Sequence, residues 1–137
     1  MHIPERDGIA SGLFLMDLWL TKAKKASEVL AELQALAGPS YYNRIDIRFA
    51  RDGYDAVKTD TLARLAEEAP TSLAGQDVVD RVALETGDGF KFFLGDGSWL
   101  LIRTSGTEPL VRIYTEATSE ATREKMLAAG EKLVRGS

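Results

Sequence analysis

The spacing of the apolar residues changes at Pro39, and this change limits the possible folds more than any other feature of the sequence. Before Pro39, apolar side chains recur at helical intervals in residues 8–21 and again in residues 27–36. After it, the run Arg44-Ile45-Asp46-Ile47-Arg48-Phe49 alternates strictly between polar and apolar residues, which is typical of a half-buried strand. The sequence therefore predicts a helical part and a strand-containing part that meet near Pro39.

The first predicted helix is apolar on nearly every side. Its centre, Leu13 to Leu20, is interrupted by Asp17 and is shorter than the roughly 20 residues that a membrane span needs. We therefore expect no membrane contact and interpret the segment as a buried helix. Such a helix needs a cover, so residues 9–20 are expected either to self-associate or to fold back onto the same domain. Ser27 is the predicted N-cap of the second helix, which is predicted to end at Gly38.

Beyond the first strand the sequence predicts one further helix, four short strands and a final helix. Helical spacing runs from Leu62 to Ala69 and again from Ser119 onwards, and strand patterns cover residues 78–85, 90–94, 99–103 and 110–116. Asp88 and Asp96 each precede a glycine between two of these strands and are interpreted as turn formers. This order predicts an α+β fold, with a mainly antiparallel sheet and helices on one face.

The composition argues against several classes of function. A net charge of −4 does not suit a general nucleic-acid binder, which needs an excess of lysine and arginine. The chain contains no cysteine, so thiolate metal sites and disulfides are excluded, and we expect a cytoplasmic location. A single histidine, His2, argues against a histidine-based metal site or a catalytic triad.

A cluster of hydrogen-bond donors lies between the last two predicted strands. Arg103 precedes the loop and offers a planar fork of donors that suits phosphate oxygens. Ser105 and Thr107 offer short hydroxyl groups, and Gly106 permits a positive φ and a close approach of backbone N–H groups to an anion. In the following strand, Arg112 returns within reach of the loop. These residue types predict an anion-binding loop, with an ordinary turn as the alternative.

Glu108, in the same loop, has two interpretations. It either orients Arg103 or Arg112 through its carboxylate, or it caps the loop. The loop lacks the G-x-x-x-x-G-K-[ST] pattern, so a nucleotide-binding P-loop is excluded.

The sequence around the loop resembles a known family. The string RTSGTEPLVRIYTE, residues 103–116, resembles the phosphate-binding signature of the α-D-phosphohexomutases, which include phosphoglucomutase, phosphomannomutase and phosphoglucosamine mutase. Residues 95–99, GDGSW, and residues 39–46, PSYYNRID, resemble the lead-in to this signature and the start of the family's fourth domain. The segment from His2 to Ile9 is similar to the end of the third domain of bacterial phosphoglucomutases. Thr104 stands where family members often have proline or alanine.

The resemblance implies a fold and a function for each part. Residues 39–137 would form the family's phosphate-binding C-terminal domain, with a TATA-binding-protein-like fold, and residues 1–38 would be the helical remnant of domain 3. The loop would hold the non-reacting phosphate of a hexose 1-phosphate or hexose 6-phosphate, with glucose as the expected sugar. The implied phosphate-binding residues are Arg103, Ser105, Gly106, Thr107 and Arg112.

The family's other functional loops do not occur in this sequence. It contains neither the serine loop that carries the phosphoryl group, nor the triple-aspartate loop that binds Mg²⁺, nor the G-E-x-S-G loop that reads the sugar. We therefore expect the chain to have no catalytic residue or cofactor of its own, and to work with the remaining domains of a phosphotransferase that uses Mg²⁺. The alternative is a stand-alone, non-catalytic phosphosugar-binding or regulatory module.

Overall fold

The computed structural model describes residues 7–136. The chain divides between Gly38 and Pro39 into two compact units, which we term the helical unit, residues 7–38, and the sheet unit, residues 39–136. Most of the His2–Ile9 segment lies outside the described residues. That the helical unit is a remnant of a third domain stays a prediction.

The helical unit consists of two helices: α1, Gly8–Lys22, and α2, Ala26–Ala37. The N-cap residue of α2 is Lys25, so the predicted N-cap at Ser27 is wrong. The Glu28 carboxylate accepts a hydrogen bond from the Lys25 N–H at 2.7 Å, which satisfies a backbone donor ahead of the serine. The helix ends at Gly38, as predicted.

Neither helix of this unit has a buried residue. In α1, Phe14 is 74% exposed and Leu20 is 78% exposed. The two helices border an open groove of about 240 Å³, lined by Leu15, Leu18, Trp19, Ala26, Val29, Leu30 and Leu33. Burial of α1 by a second copy or by the same domain therefore stays a prediction, because within the helical unit only the 12-residue α2 covers one side of it.

The sheet unit is built on one six-stranded antiparallel sheet. Its strands are β1, Tyr41–Arg48; β2, Ser72–Leu73; β3, Gln76–Ala83; β4, Gly89–Leu94; β5, Trp99–Thr104; and β6, Leu110–Ala117. They lie in the order β1-β6-β5-β4-β3-β2, and each neighbouring pair is antiparallel. The α+β prediction is therefore confirmed. The two-residue strand β2 is too short to show a periodic pattern in the sequence.

One face of this sheet is covered by two helices: α3, Tyr54–Glu67, and α4, Glu120–Arg135. Leu65 of α3 and Met126 of α4 pack in the same core as Phe92 and Ile113, and all four are at most 1% exposed. Gly130 lets α4 lie close to the sheet, since a Cβ on it would come 2.7 Å from Ile113 Cγ2. None of the helices that the structure describes is long and apolar enough to span a membrane.

The opposite face of the sheet carries charged and aromatic side chains instead of a second core. Lys91 Nζ lies 3.9 Å from the centroid of a Trp99 ring, and the Arg44 guanidinium lies 5.9 Å from that of Tyr114. The two arginines that flank the predicted anion-binding loop project from this same polar face.

Candidate functional site

The pairing of β5 with β6 brings the two predicted arginines together. In this register Arg103 lies directly opposite Arg112, and the buried Thr104 lies opposite Val111. Side chains that lie opposite each other on antiparallel strands have Cβ atoms about 4.5–5.5 Å apart. Two positively charged side chains therefore start from adjacent positions, at the edge of the loop formed by residues 105–109.

Tyr54, the first residue of α3, holds the two ends of this loop. The Tyr54 hydroxyl accepts the Ser105 N–H at 2.9 Å and lies 2.6 Å from the Leu110 carbonyl oxygen and 3.0 Å from the Ser105 carbonyl oxygen. Tyr54 is buried, and this burial raises the pKa of its hydroxyl above the ordinary value of 10.0. The group therefore stays protonated near neutral pH and remains a hydrogen-bond donor to the loop.

The interior of the loop is organised around Ser105. Ser105 is buried, and its Oγ accepts the N–H groups of Thr107 at 3.4 Å and Glu108 at 3.2 Å. Gly106 permits a positive φ but does not adopt one here, and two backbone donors of the loop are instead bound by the Ser105 hydroxyl. Among the described residues, a Cβ at Gly106 would meet nothing within 4 Å. The glycine therefore leaves the outer surface of the loop open.

Each of the two arginines has a carboxylate partner, and the two partners differ. Asp88 lies in the turn between β3 and β4, and its carboxylate is 2.7 Å from Arg103 Nε. Glu108 belongs to the loop itself and is 3.1 Å from the terminal NH2 nitrogen of Arg112. The side chain of Asp88 is 16% exposed, whereas that of Glu108 is 50% exposed. Of the roles considered for Glu108, the structure contains the contact with Arg112.

The surroundings of Asp88 favour its charged form. Partial burial by itself raises the pKa of this carboxyl, but hydrogen bonds from Thr86 Oγ1 and Arg103 Nε, together with the arginine charge, outweigh the burial. The net effect holds the pKa below its ordinary value of 3.8. The interpretation of Asp88 as a turn former is therefore incomplete, since its side chain also binds Arg103.

A third arginine reaches the loop from the connection between β1 and α3. Arg51 NH1 donates to the Thr107 carbonyl oxygen at 3.2 Å. Beside it, the Phe49 N–H donates to the Pro109 carbonyl oxygen at 2.9 Å. The open surface of the loop is thus bordered by three guanidinium groups and two carboxylates.

The donor set around the loop does not suit a metal ion. Within residues 7–136, no group of three or more histidine, aspartate or glutamate side chains is arranged to hold one. Mg²⁺ stays an expectation from the family resemblance.

Sequence analysis missed the contacts that Asp88, Tyr54 and Arg51 make with the site. The contact of Asp88 with Arg103 could have been predicted from the sequence. The short turn between β4 and β5 sets Gly89 opposite Arg103, and this places Asp88, the residue before Gly89, beside Arg103. Tyr54 contacts Ser105, which lies 51 positions further along the chain, and Arg51 contacts Thr107, which lies 56 positions further along. No local pattern in the sequence indicates contacts of that range.

Most of the chain is similar in sequence to known proteins. A family model described as "Phosphoglucomutase/phosphomannomutase, C-terminal domain" matches residues 20–132. A phosphoglucomutase/phosphomannomutase of Thermococcus kodakarensis is 33% identical over 129 residues, which is 94% of this chain and 24% of the relative. A phosphoglucosamine mutase of Methanococcus aeolicus is 33% identical over 129 residues, which is 94% of this chain and 25% of the relative. The chain spans about a quarter of the length of these curated relatives.

Other similar proteins differ in the sugar that their names give. A phosphopentomutase of Thermococcus kodakarensis is 36% identical over 100 residues, which is 73% of this chain and 20% of the relative. The crystal structure of parafusin, an exocytosis-sensitive phosphoprotein and phosphoglucomutase from Paramecium, has a TM-score of 0.57 and 19% identity. The matched region covers 98% of this chain and 28% of the parafusin chain, and the similarity supports the fold alone.

Proposed function

We propose that this chain, which belongs to the phosphoglucomutase/phosphomannomutase C-terminal domain family, binds the phosphate group of a phosphosugar through Arg103, Arg112 and the loop between them. The observation that carries this proposal is the register that sets Arg103 opposite Arg112. Like charges directly opposite each other destabilise a strand pair, and a bound dianion would relieve that repulsion. Arginine forks match phosphate oxygens and form strong, charge-assisted hydrogen bonds with them.

Ser105, Gly106 and Thr107 complete the proposed site. The hydroxyl protons of the serine and the threonine are the donors that the loop offers beside the two guanidinium groups. The open space around Gly106 allows the phosphate to approach the loop closely. Arg51, which contacts the Thr107 carbonyl oxygen, adds positive charge beside the loop.

In a complete enzyme, the loop would hold the phosphate that does not react while another part of the sugar does. Binding energy from this remote group positions the sugar at the reacting centre. Rebinding through the other phosphate would let a bisphosphate intermediate reorient between the two half-reactions. The proposal includes a cytoplasmic phosphotransferase whose remaining domains supply the chemistry, as the greater length of the relatives supports. Glucose is the proposed sugar.

Titration of the 137-residue chain with glucose 6-phosphate, followed by NMR, tests the site. The amides of residues 103–107 should shift, and Arg103→Ala should weaken binding by about 10-fold to 100-fold, because a hydrogen bond to a charged group contributes about 1.5–3 kcal/mol. Lys125→Ala removes the same charge from an exposed position on α4, on the opposite face of the sheet, and should leave the affinity unchanged. Shifts confined to other residues would show that the assignment is wrong. Parallel titrations with glucosamine 6-phosphate and ribose 5-phosphate test the sugar.

The proposal also states that the chain alone has no mutase activity. A coupled assay for the conversion of glucose 1-phosphate to glucose 6-phosphate should give no turnover above background, and turnover that survives repurification would refute this part. The alternative, a stand-alone phosphosugar-binding or regulatory module, is tested by reading the genomic frame upstream of Met1. A continuous frame that encodes a serine-loop domain would exclude it.

The helical unit is proposed to self-associate through residues 9–20. Burying a large apolar side chain contributes about 1.5–3 kcal/mol to the free energy of association. In α1, Phe14 is 74% exposed and Leu20 is 78% exposed. Sedimentation of the whole chain should therefore give a species larger than a monomer, whereas a version that starts at Ala37 should be monomeric. Replacing Phe14 and Leu20 with glutamate should restore the monomer. Two monomeric species at equal concentration would contradict the proposal.

A further inference from the structure

We propose that Asp88 is a positioning residue for phosphate binding, which holds Arg103 at Nε so that the outer edge of its guanidinium faces the ligand. The inference rests on the proposed function, because it concerns how Arg103 is presented to a phosphate. It assigns a role to a residue that lies outside the loop and its two flanking arginines. The test below separates its failure from the failure of the phosphate site itself.

Asp88 is fixed through both its backbone and its side chain. Its carbonyl oxygen accepts the Thr104 N–H at 2.8 Å and the Thr104 hydroxyl at 3.0 Å. Its carboxylate accepts the Thr86 hydroxyl at 2.5 Å and Arg103 Nε–H at 2.7 Å. Thr104 is 1% exposed and follows Arg103 directly. The strand segment that carries the arginine therefore also holds the carboxylate that orients it.

Gly89 makes this contact possible. It lies opposite Arg103 in the β4–β5 pair. A Cβ on Gly89 would come 2.3 Å from the Ile102 carbonyl oxygen and 3.0 Å from Arg103 Cα, which is closer than such atoms approach one another. Only glycine therefore lets β4 lie this near to β5, and the approach brings Asp88 within hydrogen-bonding distance of the arginine.

The position of the contact on the guanidinium leaves donors for a ligand. Arginine carries five N–H donors in one plane, and a carboxylate on the Nε edge occupies Nε–H and at most one neighbouring N–H. The outer edge of the fork remains available for phosphate oxygens. An arginine without such a partner loses side-chain freedom when it binds, which weakens binding by about twofold to tenfold. Asp88 restricts Arg103 before the ligand arrives.

Glu108 provides a matched comparison within the same site. It contacts a terminal nitrogen of Arg112 at 3.1 Å and its side chain is 50% exposed. A carboxylate on the terminal nitrogens competes with phosphate for the same donors, and an exposed one is displaced readily. Asp88 and Glu108 each carry one negative charge beside the loop, yet their neutralisation should change phosphate affinity in different ways.

The test is an NMR titration of inorganic phosphate into the 137-residue chain and its variants. Asp88→Asn should weaken phosphate binding by about twofold to tenfold, although it makes the site more positive. Glu108→Gln, which removes the same charge, should bind phosphate at least as tightly as the parent chain. A general effect of charge would tighten binding in both variants. An Asp88→Asn chain that binds phosphate as tightly as the parent chain, or more tightly, overturns the proposal.

Arg103→Gln separates this proposal from the proposed function. If Arg103→Gln leaves phosphate affinity unchanged, the phosphate site itself is wrong. If Arg103→Gln weakens binding and Asp88→Asn does not, only the positioning role is wrong. In the Arg103→Gln background, Asp88→Asn should have no further effect on affinity, because the two residues act as one pair.

The Arg103 Nε–H signal gives a second readout that needs no ligand. In the free chain this proton should exchange with water more slowly than the Arg112 Nε–H, and Asp88→Asn should remove the difference. Thr86→Val, which changes no charge, should remove part of it and serves as the test where Asp88→Asn fails to fold. Equal exchange rates for the two arginines in the parent chain would overturn the proposal.

Discussion

The helical unit and the sheet unit carry similar apolar side chains, but only the sheet unit buries them. Phe92 in β4 is 0% exposed, whereas Phe14 in α1 is 74% exposed. Phe92 lies in a sheet that α3 and α4 cover, while the only other helix of the unit that contains Phe14 has 12 residues. The difference teaches that apolar sequence forms a core only where the same unit supplies a second layer to cover it.

The largest effect that tests this comparison is the loss of an aromatic core residue. Phe92→Ala should lower the free energy of unfolding by about 3–5 kcal/mol, because it removes buried surface and leaves a cavity. The matched change Phe14→Ala should alter it by less than about 0.5 kcal/mol. Urea denaturation of dilute samples measures both. Equal losses would mean that α1 is part of a core.

Two helical glycines give a smaller contrast of opposite sign. Gly130→Ala should destabilise the chain by about 1–3 kcal/mol, since its Cβ would meet Ile113 Cγ2 at 2.7 Å and Leu100 Cδ1 at 3.2 Å. Gly12→Ala in α1 meets nothing within 4 Å among the described residues and should stabilise its helix by about 0.5–1 kcal/mol. Thermal unfolding measures the first change and helix content by circular dichroism the second. A stabilising Gly130→Ala would contradict the close packing of α4 on the sheet.

Ion pairs should show a still smaller difference between the units. The pKa of Asp88 is lowered in the folded state, so the pair with Arg103 stabilises the fold above the ordinary pKa of 3.8 and loses that contribution as the pH falls through the lowered value. Asp88→Asn should therefore cost less than about 1 kcal/mol near pH 7 and little at an acid pH below the lowered pKa. Glu32→Gln, in the exposed pairs with Lys22 and Lys24, should leave unfolding of the sheet unit unchanged at both pH values. An Asp88→Asn effect that persists in acid would argue against the ion pair as its cause.

Removal of the helical unit is the largest change in sequence but should have the smallest effect on unfolding. A chain that starts at Ala37 should unfold at the same midpoint as the whole chain, because the buried apolar core lies in the sheet unit. The separate peptide of residues 1–38 should be mostly unstructured at low concentration, since isolated helices shorter than about 12–15 residues are marginal in water. Circular dichroism during heating checks both expectations. A large drop in the midpoint would mean that the two units share stability.

Secondary structure was predictable here because each element has a local cause. The alternation from Arg44 to Phe49 indicated β1, and the Asp-Gly pairs between the later strands indicated hairpins. The start of α2 was misplaced because a capping contact from Glu28 competes with the serine. Burial of α1 stays a prediction, since a single helix does not reveal what is present to cover it.

The candidate site was predictable in part. Arg103 and Arg112 follow from local spacing, and the structure sets them opposite each other. The sequence could not say which conformation Gly106 adopts, and the structure gives it no positive φ beside the Ser105 hydroxyl that accepts two backbone donors. The contacts of the Tyr54 hydroxyl with Ser105 and Leu110 were not predictable, since they depend on how α3 docks against the sheet.

The order of the strands bears on how the protein emerges from the ribosome. Among the strands that the structure describes, β1 pairs only with β6, so Tyr41 meets Ala117 and Arg48 meets Leu110. A nascent chain that has been synthesised as far as β5 leaves β1 without a neighbour, because its partner has not yet been translated. The sheet and the arginine pair are completed by the same event, the arrival of β6. A ribosome-bound chain thus acquires this pairing and its candidate site together, once β6 has been synthesised.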